Sequence, residues 1–144
     1  MNKQKGFTII ELIVVVAIIA VLAGIVMVNV TKYIAKSKNA AIKGNLSTIM
    51  TNAAVWYDSN SSTYAGFTSN STYSNAAAQV TSNGGTVTNA TKTDGSAFCV
   101  CSTTNITTEE PSGTTFCFDT AGYKKATTTA CATRCTATTA ACTD

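Results

Sequence analysis

Hydrophobic residues in this chain form one long block, followed by short and interrupted ones. Residues 12–30 carry no charge, and Glu11 is the only charged residue from Phe7 to Val30. A helix over residues 12–30 rises about 28 Å, enough to cross a hydrocarbon layer of about 30 Å. β-Branched Ile13, Val14, Val15 and Val16 lower helix propensity slightly in water, but in lipid only a helix satisfies the backbone. Further on, Ile42, Leu46, Ile49, Met50, Ala53 and Tyr57 recur at helical spacing. One helix is therefore predicted to continue to Tyr57 and to lay this stripe against a folded head. Gly44 interrupts it at a cost of about 1 kcal/mol, as a point of close packing or a slight bend.

Residues 58–85 are rich in Ser, Asn, Thr and Gly and predict a connecting loop, with Tyr64, Phe67 and Tyr73 spaced through it as packing anchors. Short antiparallel strands follow. Residues 86–88 are a weak candidate, whereas 97–101 and 115–118 are rich in β-formers. Residues 109–113 predict a turn with Glu109 and Glu110 in solvent, and Ala121-Gly122 predicts another before 123–125. A Thr/Ala-rich tail occupies 127–144. The expected fold class is α+β: a long N-terminal transmembrane and polymerisation helix packed on a small antiparallel β-sheet, with a disulfide-tied tail.

Composition sharpens this. The chain has 144 residues, 45% hydrophobic and 12% charged. Because most large aliphatics precede Tyr57, the head has too little apolar material for a substantial core and would benefit from covalent staples. All six cysteines (Cys99, Cys101, Cys117, Cys131, Cys135 and Cys142) lie in the last third, which points to an oxidising compartment. Cys99 and Cys101 share one face of a strand but stand about 6.5–7 Å apart, too far to bond comfortably, so each should reach a different partner. The sequence leaves the pairing open. A four-cysteine zinc site is the alternative; disulfides are favoured because the chain has no histidine and the compartment oxidises thiols.

Function classes narrow by the same reading. No histidine, no activated nucleophile, no phosphate-cradling glycine loop and no close carboxylate pair appears, so no enzyme and no cofactor is expected. Asp119 and Asp144 are too few hard ligands for a calcium site. Four glycosylation sequons, at Asn60, Asn70, Asn89 and Asn105, are chance matches expected in a chain so rich in Asn and Thr. Lys32, Lys36 and Lys43 share a helix face and read as side chains reaching lipid headgroups or solvent. Without Lys3 and Lys5, the ten basic residues become eight against seven acidic ones, which gives no electrostatic case for nucleic-acid binding.

The N-terminus carries the most specific signal. An ordinary secretory signal has a shorter apolar core and a small-residue cleavage site; here the run continues past Ala20-Val21-Leu22-Ala23-Gly24. A plain anchor leaves Glu11 unexplained, since a carboxylate at the start of a span needs a partner. The segment Lys5-Gly6-Phe7-Thr8-Ile9-Ile10-Glu11-Leu12 closely resembles the leader junction of the type IV pilin family. The resemblance implies cleavage between Gly6 and Phe7 by prepilin peptidase, N-methylation of Phe7, and pairing of Glu11 with the Phe7 amine of a neighbouring subunit. It also implies a leader at 1–6, a membrane-spanning half-helix at 7–30, an exported half at 31–57 and a head at 58–144, with its sheet in 86–126. Residues 116–123 resemble the last hairpin of many bacterial pilins.

Implied partners are further copies of the chain, prepilin peptidase, pilus assembly machinery and, before assembly, membrane lipid. The implied product is an extracellular filament for motility, adhesion or DNA uptake, built from a single-pass cytoplasmic-membrane precursor. A secretion or competence pseudopilin and a monomeric membrane-anchored binding domain are the alternatives. Many family members place a helix-breaking proline and an early glycine in the apolar run, where this chain has Val28 and Ala20.

Overall fold

A computed structural model describes residues 6–105, 107 and 110–144. Lys3 and Lys5 of the leader, Ile106 of the last sequon and Glu109 of the expected turn lie outside the described residues. The chain divides into two compact units, Met1–Ile34 and Ala35–Asp144.

Helix α1, Ile9–Ser59, begins in the first unit and continues without interruption into the second. In the first unit it is apolar and long enough to cross a membrane. Its large hydrophobic residues from Phe7 to Val30 are all about half or more exposed, from 46% to 83%, so the helix presents apolar side chains on every side. A helix hydrophobic all round is stable only when something other than water surrounds it.

The second unit is an α+β head. In it, α1 buries Ile42, Leu46, Ile49 and Ala53 completely, with Met50 and Tyr57 partly buried beside them. This is the stripe expected from spacing, and the helix itself runs two residues beyond Tyr57. The helix ends where Ser61 and Ser62 take left-handed φ angles of 55° and 56°. The Ser62 N–H then donates to the Tyr57 carbonyl at 3.1 Å and satisfies an otherwise orphaned acceptor. A Cβ added at Gly44 would meet no other element within 4 Å among the described residues, so the close packing expected there is not seen within this chain.

The segment expected to be a loop contains a second helix. After a 3-10 turn at Phe67–Ser69 comes α2, Ser71–Ser82, capped by the Asn70 side chain, which accepts from the Thr72 N–H at 2.8 Å. Its Tyr73, Ala76 and Val80 are buried, one apolar row on an otherwise polar helix. Tyr64, Phe67 and Tyr73 do act as the packing anchors expected of them.

Four strands follow: β1 (Val87–Thr91), β2 (Phe98–Thr103), β3 (Thr115–Asp119) and β4 (Lys124–Thr127). They form one antiparallel meander in chain order. The register pairs Val100 with Phe118 and Cys101 with Cys117, so apolar rings line one face and cysteines the other. The ring-bearing face packs on the two helices. At Gly85, just before β1, an added Cβ would lie 2.6 Å from the Ser102 hydroxyl and 2.8 Å from a Val80 methyl, so only glycine fits where the chain passes α2.

Two polar contacts pin the β2–β3 connection to α1. Asn39, 3% exposed, donates to the Asn105 carbonyl at 3.0 Å and accepts from the Asn105 N–H at 2.7 Å. Glu110, expected in solvent, is instead 12% exposed along its side chain and paired with Lys43. The Lys43 ammonium also sits 5.0 Å from the centre of the Phe116 ring. The charge was misread because its partner lies on α1, far away in the sequence.

Candidate functional site

At the N-terminal junction, Gly6, Phe7 and Thr8 precede the first helical residue, and Phe7 is 83% exposed. Thr8 and Glu11 bond reciprocally. The Thr8 N–H and hydroxyl donate to Glu11 Oε2 at 2.8 and 2.7 Å, while the Glu11 N–H donates to the Thr8 hydroxyl at 3.2 Å. This is a capping box, which satisfies otherwise orphaned N–H groups at the start of a helix and stabilises it by about 1 kcal/mol. The carboxylate also faces the positive end of the helix macrodipole.

The partner that Glu11 needs is thus supplied in part by its own chain, and only Oε1 lacks a contact among the described residues. Sequence reasoning weighed Glu11 but passed over Thr8, although Thr-x-x-Glu ahead of an apolar run is a readable signal. The junction therefore holds an exposed Phe7, four residues before a carboxylate already fixed in position at the start of the helix.

At the other end of the chain, the cysteine-lined face of the sheet carries the tail. Three disulfides join them: Cys99–Cys135, Cys101–Cys131 and Cys117–Cys142, with Cα–Cα distances of 5.7, 5.5 and 6.0 Å. Cys99 and Cys101 do take different partners, and no cysteine is left for zinc. The tail folds its first turn as α3, Cys131–Arg134.

Arg134, the only arginine of the chain, is fully buried there. Its guanidinium donates to the carbonyls of Thr143 (2.8 Å), Thr115 (3.1 Å) and Lys125 (3.2 Å), to the Thr115 hydroxyl and to the Tyr123 hydroxyl. A planar fork of donors suits this role, because it bridges β3, β4 and the end of the tail at once. Nothing in the sequence marked Arg134, since its acceptors are three carbonyls and two hydroxyls that only the fold brings together.

Asp119, 6% exposed, accepts from the Tyr123 N–H at 2.9 Å through one oxygen and from the Cys142 N–H at 2.8 Å through the other. It closes the β3–β4 turn and holds the tail. At the surface, Asp144 pairs with Lys125 at 2.8 Å and accepts from the Tyr123 hydroxyl. The bond to Lys125 holds the Asp144 carboxyl below its usual range, and the same bond raises the lysine.

Comparison with known proteins bears on the N-terminal end. Residues 1–27 match the family model described as the prokaryotic N-terminal methylation motif. The chain is 50% identical over 46 residues to the type IV major alpha-pilin of Moraxella bovis, which covers 32% of this chain and 29% of that protein. It is 47% identical over 49 residues to the type IV major pilin protein PilA of Myxococcus xanthus (strain DK1622), covering 34% and 22%. It is also similar to fimbrial protein Q of Moraxella bovis, at 50% over 46 residues and the same coverage as the first. The chain thus spans less than a third of the length of the curated relatives it matches. No solved structure matches it. The methylation motif contains the whole Gly6–Glu11 junction and most of the apolar run behind it, and in this N-terminal segment the chain is similar to type IV pilins.

Proposed function

We propose that this chain is the structural subunit of a type IV pilus. Its precursor sits in the cytoplasmic membrane through the apolar part of α1, with the head outside. Prepilin peptidase cuts between Gly6 and Phe7, the new Phe7 amine is methylated, and assembly machinery in the membrane adds the subunit to an extracellular filament. Such a filament serves motility, adhesion or DNA uptake.

The observation that carries this reading is the junction. Cleavage after Gly6 creates an ammonium one residue before the Thr8–Glu11 capping box, at the head of a helix whose apolar residues are exposed on all sides. Packed side by side, such helices bury their apolar surface without solvent. The Glu11 carboxylate keeps an acceptor for the ammonium of a neighbour. Inside an apolar bundle, removing one member of such a pair strands the other and costs about 3–5 kcal/mol, whereas correct stacking satisfies both.

The test replaces Glu11 by Gln in the full chain, expressed with a prepilin peptidase and its assembly system. Intact-mass analysis is expected to show loss of residues 1–6 and a methylated Phe7 in both proteins. Sheared filament yield is expected to fall at least about tenfold in E11Q, from the energy of one stranded partner. An intact Met1, loss of the whole apolar run, or parental filament yield from correctly clipped E11Q would each overturn the reading.

A further inference from the structure

We propose that the groove between α1 and α2 is a binding site for a neutral saccharide. The groove has a volume of about 480 Å³, and α1 lines it with Asn45, Thr48 and Asn52 while α2 contributes Asn75 and Gln79. At Asn52 and Thr72 it meets a smaller hollow of about 160 Å³, to which Trp56 adds a flat apolar wall. Among the described residues, no charged one lines either part. The larger volume lies in the range of small-molecule sites, about 300–1,000 Å³.

What singles out this groove is how the head uses its carboxamides. In the Ala35–Asp144 unit, every other asparagine uses its side chain in an intramolecular hydrogen bond. Asn70 caps α2, Asn39 ties α1 to the β2–β3 connection, Asn89 ties β1 to Tyr73 of α2, and Asn105 donates to the Asn83 carbonyl. Asn60 and Asn83 bond back at the ends of their helices, and Asn45, though it lines the groove, bonds back to the Ala41 carbonyl within α1. Asn52, Asn75 and Gln79, the last being the only glutamine of the unit, make none among the described residues. The three uncommitted carboxamides of the head therefore share one groove. Asn75 and Gln79 stand one turn apart on α2, so they present parallel amides to the same space.

The chemistry of that lining selects its ligand. A carboxamide offers a donor and an acceptor side by side, as does each hydroxyl of a sugar, so rows of amides match rows of hydroxyls in either polarity. A charged ligand would find no counter-charge. An apolar one would strip water from three amides and return no hydrogen bond. Trp56 gives the apolar C–H face of a sugar ring a surface to lie on. The site is complete in one copy of the chain and does not depend on polymerisation. If copies repeat along a filament, weak single sites gain strength through multivalency.

Trp56 is the only tryptophan in the chain, so its fluorescence reports on this groove alone. The experiment titrates N,N′-diacetylchitobiose, lactose and maltotriose into the full chain, held in a detergent without a sugar headgroup, with trigalacturonate as the charged control. A saturable change in emission is expected with at least one neutral sugar and not with trigalacturonate. Asn52→Ala and Gln79→Ala, which remove no intramolecular bond, should leave the circular dichroism spectrum unchanged and weaken that binding about tenfold each. Absence of binding by all three neutral sugars overturns the proposal, as does equal affinity in the variants. Loss of self-association in place of sugar binding would assign the groove to a second copy of the chain and also overturn it.

Discussion

The two faces of the head's sheet solve the same packing problem by different means. On the helix side, Phe98 is the hub of an aromatic cluster. Its ring lies 5.3 Å from Phe67, 6.2 Å from Tyr64 and 6.4 Å from Tyr73, centre to centre, over a floor of Ile42, Leu46, Ile49 and Val80. On the tail side the buried cluster is six half-cystines with Ala90 and Ala140. Alternate residues of the same two strands supply both. Where large side chains are available, burial and ring contact hold the layer. Where the sequence offers mainly alanine and threonine, covalent bonds and one buried guanidinium take over.

The comparison is tested most severely by Phe98→Ala. Emptying the hub of the aromatic layer should cost about 3–5 kcal/mol, read as a lowered urea midpoint with the three disulfides still formed. The matching change on the other face, Cys117→Ser with Cys142→Ser, should cost about 2–4 kcal/mol and expose the tail to hydrogen exchange while the helix layer stays protected. Uniform loss of protection across both faces would show that the layers are not separable.

Arg134→Met probes the same face without touching a cystine. It leaves the carbonyls of Thr115, Lys125 and Thr143 short of a donor, at about 1–3 kcal/mol for the stranded groups together. Faster exchange should appear in 128–144 and in β4, and nowhere in α2.

The smallest effect concerns pH. Asp144 titrates below its ordinary 3.8, so its share of stability is present above that value and lost as the pH falls through the lowered one. Lys125 titrates above its ordinary 10.5, so its share is present below that value and lost as the pH rises through the raised one. Both groups are exposed, so added salt should erase the effect. A two-dimensional NMR titration of the Asp144 carboxyl in a Lys125→Ala variant should move its midpoint back up toward the ordinary value.

How much of this was legible depended on where each signal lives. The stripe on α1 was legible because four buried residues repeat at one helical spacing. Strands β2 and β3 were legible because β-branched, aromatic and cysteine residues alternate within a few positions. Helix α2 was missed because its buried row, Tyr73, Ala76 and Val80, is diluted by Ser, Thr and Asn, which also signal turns. The Asn70 cap ahead of three alanines was the available clue. Glu110 and Arg134 were misjudged or missed because their partners are brought from distant strands and helices, and no local pattern encodes that. At the junction, Gly6, Phe7 and Glu11 stood out, whereas Thr8 was overlooked although its bond to Glu11 is local.

The overlapping cystines also govern how the head transmits force. A pull applied between Cys99 and Cys142 crosses the Cys99–Cys135 bond and then lengthens only the backbone from Cys135 to Cys142. The intervening hairpin stays in a closed loop that cannot be drawn out while the bonds survive. Under tension, then, the last third of the chain lengthens by little more than that short backbone stretch, and the rest of any extension must come from the residues before Cys99.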